Sequence, residues 1–183
     1  MSLSIRPSVD ADIPAITAVY AWNVLNGLGT FEEIPPDEAE MGRRRQAFLD
    51  RGLPYLVAEL DGQVLGYCYA GPFRLRAAYR YTVEDSVYVG PDAVGKGVGK
   101  ALLAALIAAC EALGLRQICA VIGDSGNAAS IGLHAALGFE HKGVFPDMGY
   151  KFGRWVDLVW MQRPLNGGGS REPDAPGMEL SGV

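Results

Sequence analysis

Histidine and cysteine are scarce in this 183-residue chain: two histidines, three cysteines and no Cys-x-x-Cys pair. A structural zinc site, and a metal site in general, is therefore not expected. Cys68, Cys110 and Cys119 are odd in number, far apart and set among apolar neighbours. They read as free, buried thiols, which suits a reducing cytoplasmic compartment. Positive charge is also short, with 16 Lys+Arg against 21 Asp+Glu and a net charge of -5. An acidic chain is a poor general binder of nucleic acid. Long apolar runs are missing: the longest, residues 101–110, is too short for a bilayer and is followed at once by Glu111. The first residues alternate through Leu3, Ile5 and Arg6 and carry no hydrophobic signal core, so no targeting segment is expected. What is present is an ordinary core composition, 49% hydrophobic and 20% charged, which excludes disorder as the main state. The length suits one domain.

Hydrophobic spacing sets out the elements in order. Leu3-Ser4-Ile5-Arg6 alternates as a first strand. Asp10 is placed to cap a helix whose Ile13, Ile16, Val19 and Tyr20 share one face, with Pro14 tolerated in its first turn. Residues 30–36 read as an irregular link. Asp37 opens a second, more polar helix on which Arg43, Arg44 and Arg45 form a solvated face. Two alternating runs, 55–60 and 64–69, flank Asp61-Gly62, a pair that supplies the positive φ of a tight hairpin turn. Gly71-Pro72 breaks the pattern before a basic, aromatic loop of Phe73, Arg74, Arg76, Tyr79, Arg80 and Tyr81. A strand over 82–89, a helix over 97–113 closed by Gly114 and a short apolar, central strand over 118–122 follow. The chain continues with a helix over 127–137 ended by Gly138 and strands over 139–144 and 156–161. From Gly167 no apolar period remains, so a domain of residues 1–165 is expected to carry a flexible tail, 166–183. This irregular mixture predicts an α/β or α+β domain around one mixed sheet.

The most informative segment runs from Val87-Tyr88-Val89 through Gly90 to Gly95-Lys96-Gly97-Val98-Gly99-Lys100. A strand enters a loop with three glycines at alternate positions and leaves as an apolar helix. Glycines without Cβ let an anion approach the backbone, and the helix start offers unpaired N–H groups and a favourable dipole. Lys96 and Lys100 add full charges, making a phosphate or pyrophosphate cradle. It is not a Walker A loop, because Gly97 stands where a Ser or Thr must hold Mg²⁺. It is not a dinucleotide fingerprint either, because Leu102 occupies the required small position and the segment does not follow the first strand.

Val94-Gly95-Lys96-Gly97-Val98-Gly99 resembles the acetyl-CoA pyrophosphate loop of the GNAT acetyltransferases, Gln/Arg-x-x-Gly-x-Gly/Ala, with Val94 as the departure. The resemblance extends from Ile5 to about Pro164. Asn127-Ala128-Ala129-Ser130-Ile131, His134 and Leu137-Gly138-Phe139 are similar to the family's next helix, where an Asn contacts the cofactor arm. Tyr81-Thr82-Val83-Glu84-Asp85-Ser86-Val87-Tyr88-Val89 and Lys151-Phe152-Gly153-Arg154-Trp155-Val156-Asp157 resemble the phosphinothricin acetyltransferase branch. The resemblance implies the GNAT fold, a central mixed, mostly antiparallel twisted sheet flanked by helices. It implies transfer of acetyl from acetyl-CoA to the α-amine of a glutamate- or methionine-like amino acid such as phosphinothricin, methionine sulfoximine or the sulfone. A homodimer with its site near the interface is also implied.

Acetyl transfer needs a base for the amine. Glu84 shares a strand face with Ser86 and Tyr88, opposite Val83, Val87 and Val89, and the resemblance makes it that base. His134 lies seven residues after Asn127, on the same helical side, and the resemblance makes it the second catalytic residue. The acetyl-CoA residues carried over are Val87, Tyr88, Val89, Gly95, Lys96, Gly97, Val98, Gly99, Lys100, Asn127 and Ser130. Positive charge on Arg74 and Arg76 suits a carboxylate-bearing substrate. The resemblance sets Ala77, Ala78 and Tyr79 beside these arginines as substrate-binding residues. Phe31 is a pocket candidate, with a core or lid role as the alternative. No cysteine adjoins these residues in sequence, which argues against an acyl-cysteine route. Two alternatives stay open: an acetyltransferase for a peptide N-terminus, lysine or polyamine, and a CoA-binding domain without catalysis.

Overall fold

The structure is a computed structural model describing residues 3–180; residues 181–183, the end of the expected tail, lie outside the described residues. Among the described residues the alternating segments form seven strands: β1 (Ser4–Pro7), β2 (Tyr55–Leu60), β3 (Gln63–Pro72), β4 (Thr82–Val89), β5 (Gln117–Gly123), β6 (Glu140–Lys151) and β7 (Arg154–Pro164). They make one sheet in the order β1-β2-β3-β4-β5-β7-β6. Every pairing is antiparallel except that of β4 with β5. This is the mixed, mostly antiparallel sheet expected from the sequence.

Strand periodicity divides the interior into two cores. Ala58, Cys68, Val83, Ile118 and Ala120 pack with α3 (Val98–Ala112), whose Val98, Leu102, Leu103, Leu106, Ile107 and Cys110 recur at helical spacing. Tyr55, Val57 and Tyr67 belong to the second core, with Ile16, Val19, Tyr20 and Val24 of α1 (Ile13–Asn26) and Met41 of α2 (Glu38–Leu49). The short α4 (Ala128–Ala135) packs Ile131 and Leu133 against the α3 core. Among the described residues no helix is long and apolar enough to cross a membrane.

Several local expectations are corrected. Asp10 does not cap α1; it accepts a hydrogen bond from Arg45. Asp12 precedes the helix and spends its carboxylate on Arg6 and the Val9 N–H. Arg45 is not on a solvated face, being 5% exposed and bonded to Ser8 and Asp10. Arg44 pairs with Glu32 and Glu40, so only Arg43 of the three is mostly solvated. The last two strands run longer than expected because Phe152-Gly153 forms a two-residue hairpin turn, with φ of 53° and 74° between Lys151 and Arg154. Phenylalanine is rare at positive φ, so the turn left no sequence signal.

Hydrogen bonds reach into the expected tail as far as Met178. Asn166 donates to the Glu111 and Leu115 carbonyls, and Arg116 donates to those of Gly168 and Arg171. Further along, Tyr81 donates to Ala175, Met178 donates its N–H to Arg80, and the Met178 side chain is buried. Backbone carbonyls, the buried Met178 and the partly buried Leu180 hold this segment, and none of these has a period to read.

Candidate active site

The single parallel pairing determines where a cavity opens. β4 and β5 are in register only at Thr82 with Gln117, Val83 with Ile118 and Glu84 with Cys119. From Asp85 onward β4 keeps only its β3 partner. In open sheets such a crevice at the carboxyl ends of parallel strands is the usual ligand site. Here it holds a cavity of about 410 Å³, lined by Glu84, Asp85, Ser86 and Tyr88 on one side and Ala120 to Ile122 on the other.

A second cavity of about 430 Å³ adjoins it, with Gly95, Gly97, Gly99 and Lys100 in its wall. The two share Asn23, Val87, Asn127 and Ser130, so they form one groove. Gly95 and Gly97 have φ of 75° and 79°, and a Cβ at either would meet nothing within 4 Å. Gly97 opens α3, and the Ala101 N–H donates to its carbonyl. The N–H groups of the first helical turn are thus left for an anion. Asn127 caps α4 by accepting the Ser130 N–H, and its amide N–H₂ remains for a ligand. Lys96 is exposed and lines neither cavity.

Glu84 sits in the crevice with its proton affinity raised. Burial raises it first, the Asp85 charge adds to it, and Arg74 opposes both. His134 lines the same cavity and is buried. Its Nδ1 lies 2.7 Å from the Ser130 carbonyl oxygen and its Nε2 lies 3.0 Å from Asp85 Oδ2. Burial favours the neutral ring, yet Asp85 and Ser130 outweigh it and hold His134 above the usual histidine range.

The substrate candidates are less gathered. Arg74, Arg76, Ala77, Ala78 and Tyr79 lie on an exposed loop outside both cavities, although the Arg74 charge reaches Glu84. Phe31 lines neither cavity; its ring lies against Gly149 and Gly123. That contact anchors the segment from Gly27 to Thr30, which does line the crevice. Lys151 fastens the same segment by donating to the Gly27 and Thr30 carbonyls. Sequence reasoning missed Asp85, Asn23, Tyr69 and the Gly27–Thr30 wall, whose places depend on contacts distant in sequence. It also placed the cysteines away from the site, whereas Cys119 is Glu84's neighbour across the ladder. Burial, with the Glu84 and Asp85 charges, pushes the Cys119 thiol up to about 11, so it is not an activated nucleophile.

The model of the acetyltransferase (GNAT) family matches residues 16–139, the span that holds the glycine loop and the half-buried Glu84. The chain belongs to the GNAT acetyltransferase family. It is 57% identical over 171 residues to the phosphinothricin N-acetyltransferase of Alcaligenes faecalis, covering 93% of this chain and 87% of that one. It is 48% identical to the L-methionine sulfoximine/L-methionine sulfone acetyltransferase of Pseudomonas aeruginosa, covering 91% and 96%. A crystal structure of a GNAT phosphinothricin acetyltransferase from Sinorhizobium meliloti, in complex with acetyl-CoA, superposes with a TM-score of 0.91 at 50% identity over 94% of each chain. The sheet and helices described above are therefore the GNAT fold.

Proposed function

We propose that this GNAT protein N-acetylates glutamate- or methionine-like amino acids of the phosphinothricin and methionine sulfoximine class, using acetyl-CoA. One observation carries the reading: the glycine-walled groove is continuous with the crevice that holds Glu84. The names of the relatives in Alcaligenes faecalis and Pseudomonas aeruginosa supply the substrate class.

Acetyl-CoA brings the thioester carbonyl that is attacked. Gly95, Gly97, Val98 and Gly99 hold its pyrophosphate through backbone N–H groups, with Lys100 in the wall and Lys96 as a solvated counter-charge. The Val87-Tyr88-Val89 edge, free of a β5 partner, offers backbone hydrogen bonds to the cofactor arm, and Asn127 and Ser130 close the other side. Glu84 attracts the substrate ammonium and takes its proton, directly or through water. The free amine then attacks the thioester carbonyl with no covalent enzyme intermediate, the C–S bond breaks, and CoA leaves as a thiolate that is protonated from solvent. His134 contributes a positive charge in the same cavity wall. Arg74 and Arg76 bind the substrate carboxylate, with Ala77, Ala78, Tyr79 and Phe31 shaping that end.

The exposure of this substrate loop in one chain fits a site completed by a second copy. The β6–β7 hairpin supports a homodimer: Phe145, Met148, Tyr150 and Trp155 on it are between 47% and 61% exposed, and β6 is an unpaired edge.

Glu84→Gln tests the reading, since it keeps shape and polarity while removing the proton acceptor. With phosphinothricin as substrate kcat should fall by about 10²–10⁴, with acetyl-CoA affinity unchanged. Near-normal kcat at neutral pH in the folded variant removes Glu84 as the base.

A further inference from the structure

Asp85 is the one carboxylate in the crevice to which the chemistry above gives no task. Its side chain is 2% exposed, and Oδ2 meets His134 Nε2 at 3.0 Å. Its other oxygen, Oδ1, is buried with no hydrogen-bond partner among the described residues. Nδ1 of His134 meets the Ser130 carbonyl at 2.7 Å, with the Ser130 hydroxyl farther off at 3.4 Å, and Nε2 meets a carboxylate. A carbonyl and an ionised carboxylate only accept, so both ring nitrogens must carry protons for both bonds to form. The ring is thus arranged as an imidazolium, with no N–H left to hand to a leaving sulfur. Glu84 is the next residue along β4 and points to the opposite strand face, yet the crevice reaches both carboxylates.

We propose that Asp85 is a positioning residue for acetyl transfer, fixing His134 as an imidazolium in the crevice wall and setting the charge beside Glu84. One carboxylate then governs both ionisations. Its charge stabilises the ring cation and opposes the loss of a proton from Glu84, which keeps the base basic enough to accept from an ammonium. The remaining groups facing the pair are Cys68 and Tyr69 of β3, Cys110 of α3 and Cys119 of β5, all pushed up by burial, and Arg74, which pulls Glu84 the other way. Phe139 closes the ring's side edge-on at 5.0 Å.

This rests on Glu84 being the base, and the experiment separates the two. The pH profile of kcat/KM is measured for the intact chain with acetyl-CoA and methionine sulfone; one substrate throughout keeps the substrate amine's contribution constant. Asp85→Asn removes an anion that raises both groups, so both limbs of the profile should move to lower pH, by about one pH unit each. His134→Gln leaves Asp85 charged and unbalanced, so the acidic limb should move the opposite way, to higher pH. A merely structural role for Asp85 lowers the amount of active enzyme and leaves the limbs in place; that result overturns the proposal. If Glu84→Gln keeps the wild-type acidic limb, the base assignment itself fails. If Glu84→Gln removes that limb while Asp85→Asn leaves it unmoved, only the Asp85 proposal fails. Should Asp85→Asn not fold, NMR titration of the wild-type chain decides, with His141→Gln assigning the two histidines. His134 should keep both N–H protons above the ordinary histidine value of about 6.5; titration at or below that value overturns the proposal.

Discussion

A Cβ built on Gly123 would lie 1.9 Å from the Leu28 carbonyl oxygen, and one on Gly149 would lie 2.3 Å from the Phe31 ring. Neither glycine has positive φ, so their need is for close approach and not for an unusual backbone conformation. They let the segment from Gly27 to Phe31 lie directly on β5 and β6, where it walls the crevice. Gly123→Ala should therefore displace that wall and lower kcat/KM for the amino acid by roughly tenfold or more, because small misplacements near the reacting groups are costly. Steady-state kinetics checks this, and calorimetry should show acetyl-CoA affinity close to wild type, since the cradle is untouched. Gly97 is the contrasting case: space there is open, and what a side chain meets is a backbone at φ 79°. A side chain there would enter the open space left for an anion and would also carry left-handed strain of about 1–2 kcal/mol.

At the scale of elements, the docked tail is where sequence and structure part furthest. Asn166, Gly168 and Arg171 bond to the end of α3 and to Arg116, and Met178 joins the α3 core. Truncation after Leu165 exposes that core and leaves the buried Arg116 guanidinium without its carbonyl partners. A loss of about 2–4 kcal/mol follows from a few buried hydrogen bonds and one apolar side chain. For a chain of this size that corresponds to a fall in Tm of about 5–15 °C, read by thermal unfolding. An unchanged Tm would return the tail to the status of an extension. By contrast α3, the Asp61-Gly62 hairpin and the β4 alternation were legible in advance, because each depends on a period or a turn conformation stored in neighbouring residues.

At the scale of the whole molecule, the exposed hairpin of β6 and β7 and the exposed substrate loop fit a second copy. The chain should elute at twice its 19.5 kDa mass, and Tyr150→Glu combined with Trp155→Glu should return it to single mass with reduced turnover. Elution of the wild type as one chain would remove the homodimer. What the sequence determined by itself was whatever short-range physics encodes: a strand feeding a glycine loop and a helix, Glu84 facing with Ser86 and Tyr88, Asn127 at the start of the next helix. Tertiary structure alone decided the rest. The parallel pairing of β4 with β5 set Cys119 beside Glu84. Packing of α4 against β5 and the α3 core joined His134 to Asp85 across 49 positions, and Lys151 reached the Gly27 carbonyl across 124. Such contacts follow from the order in which strands assemble, and strand order is fixed by burial of both sheet faces together, which no local period records.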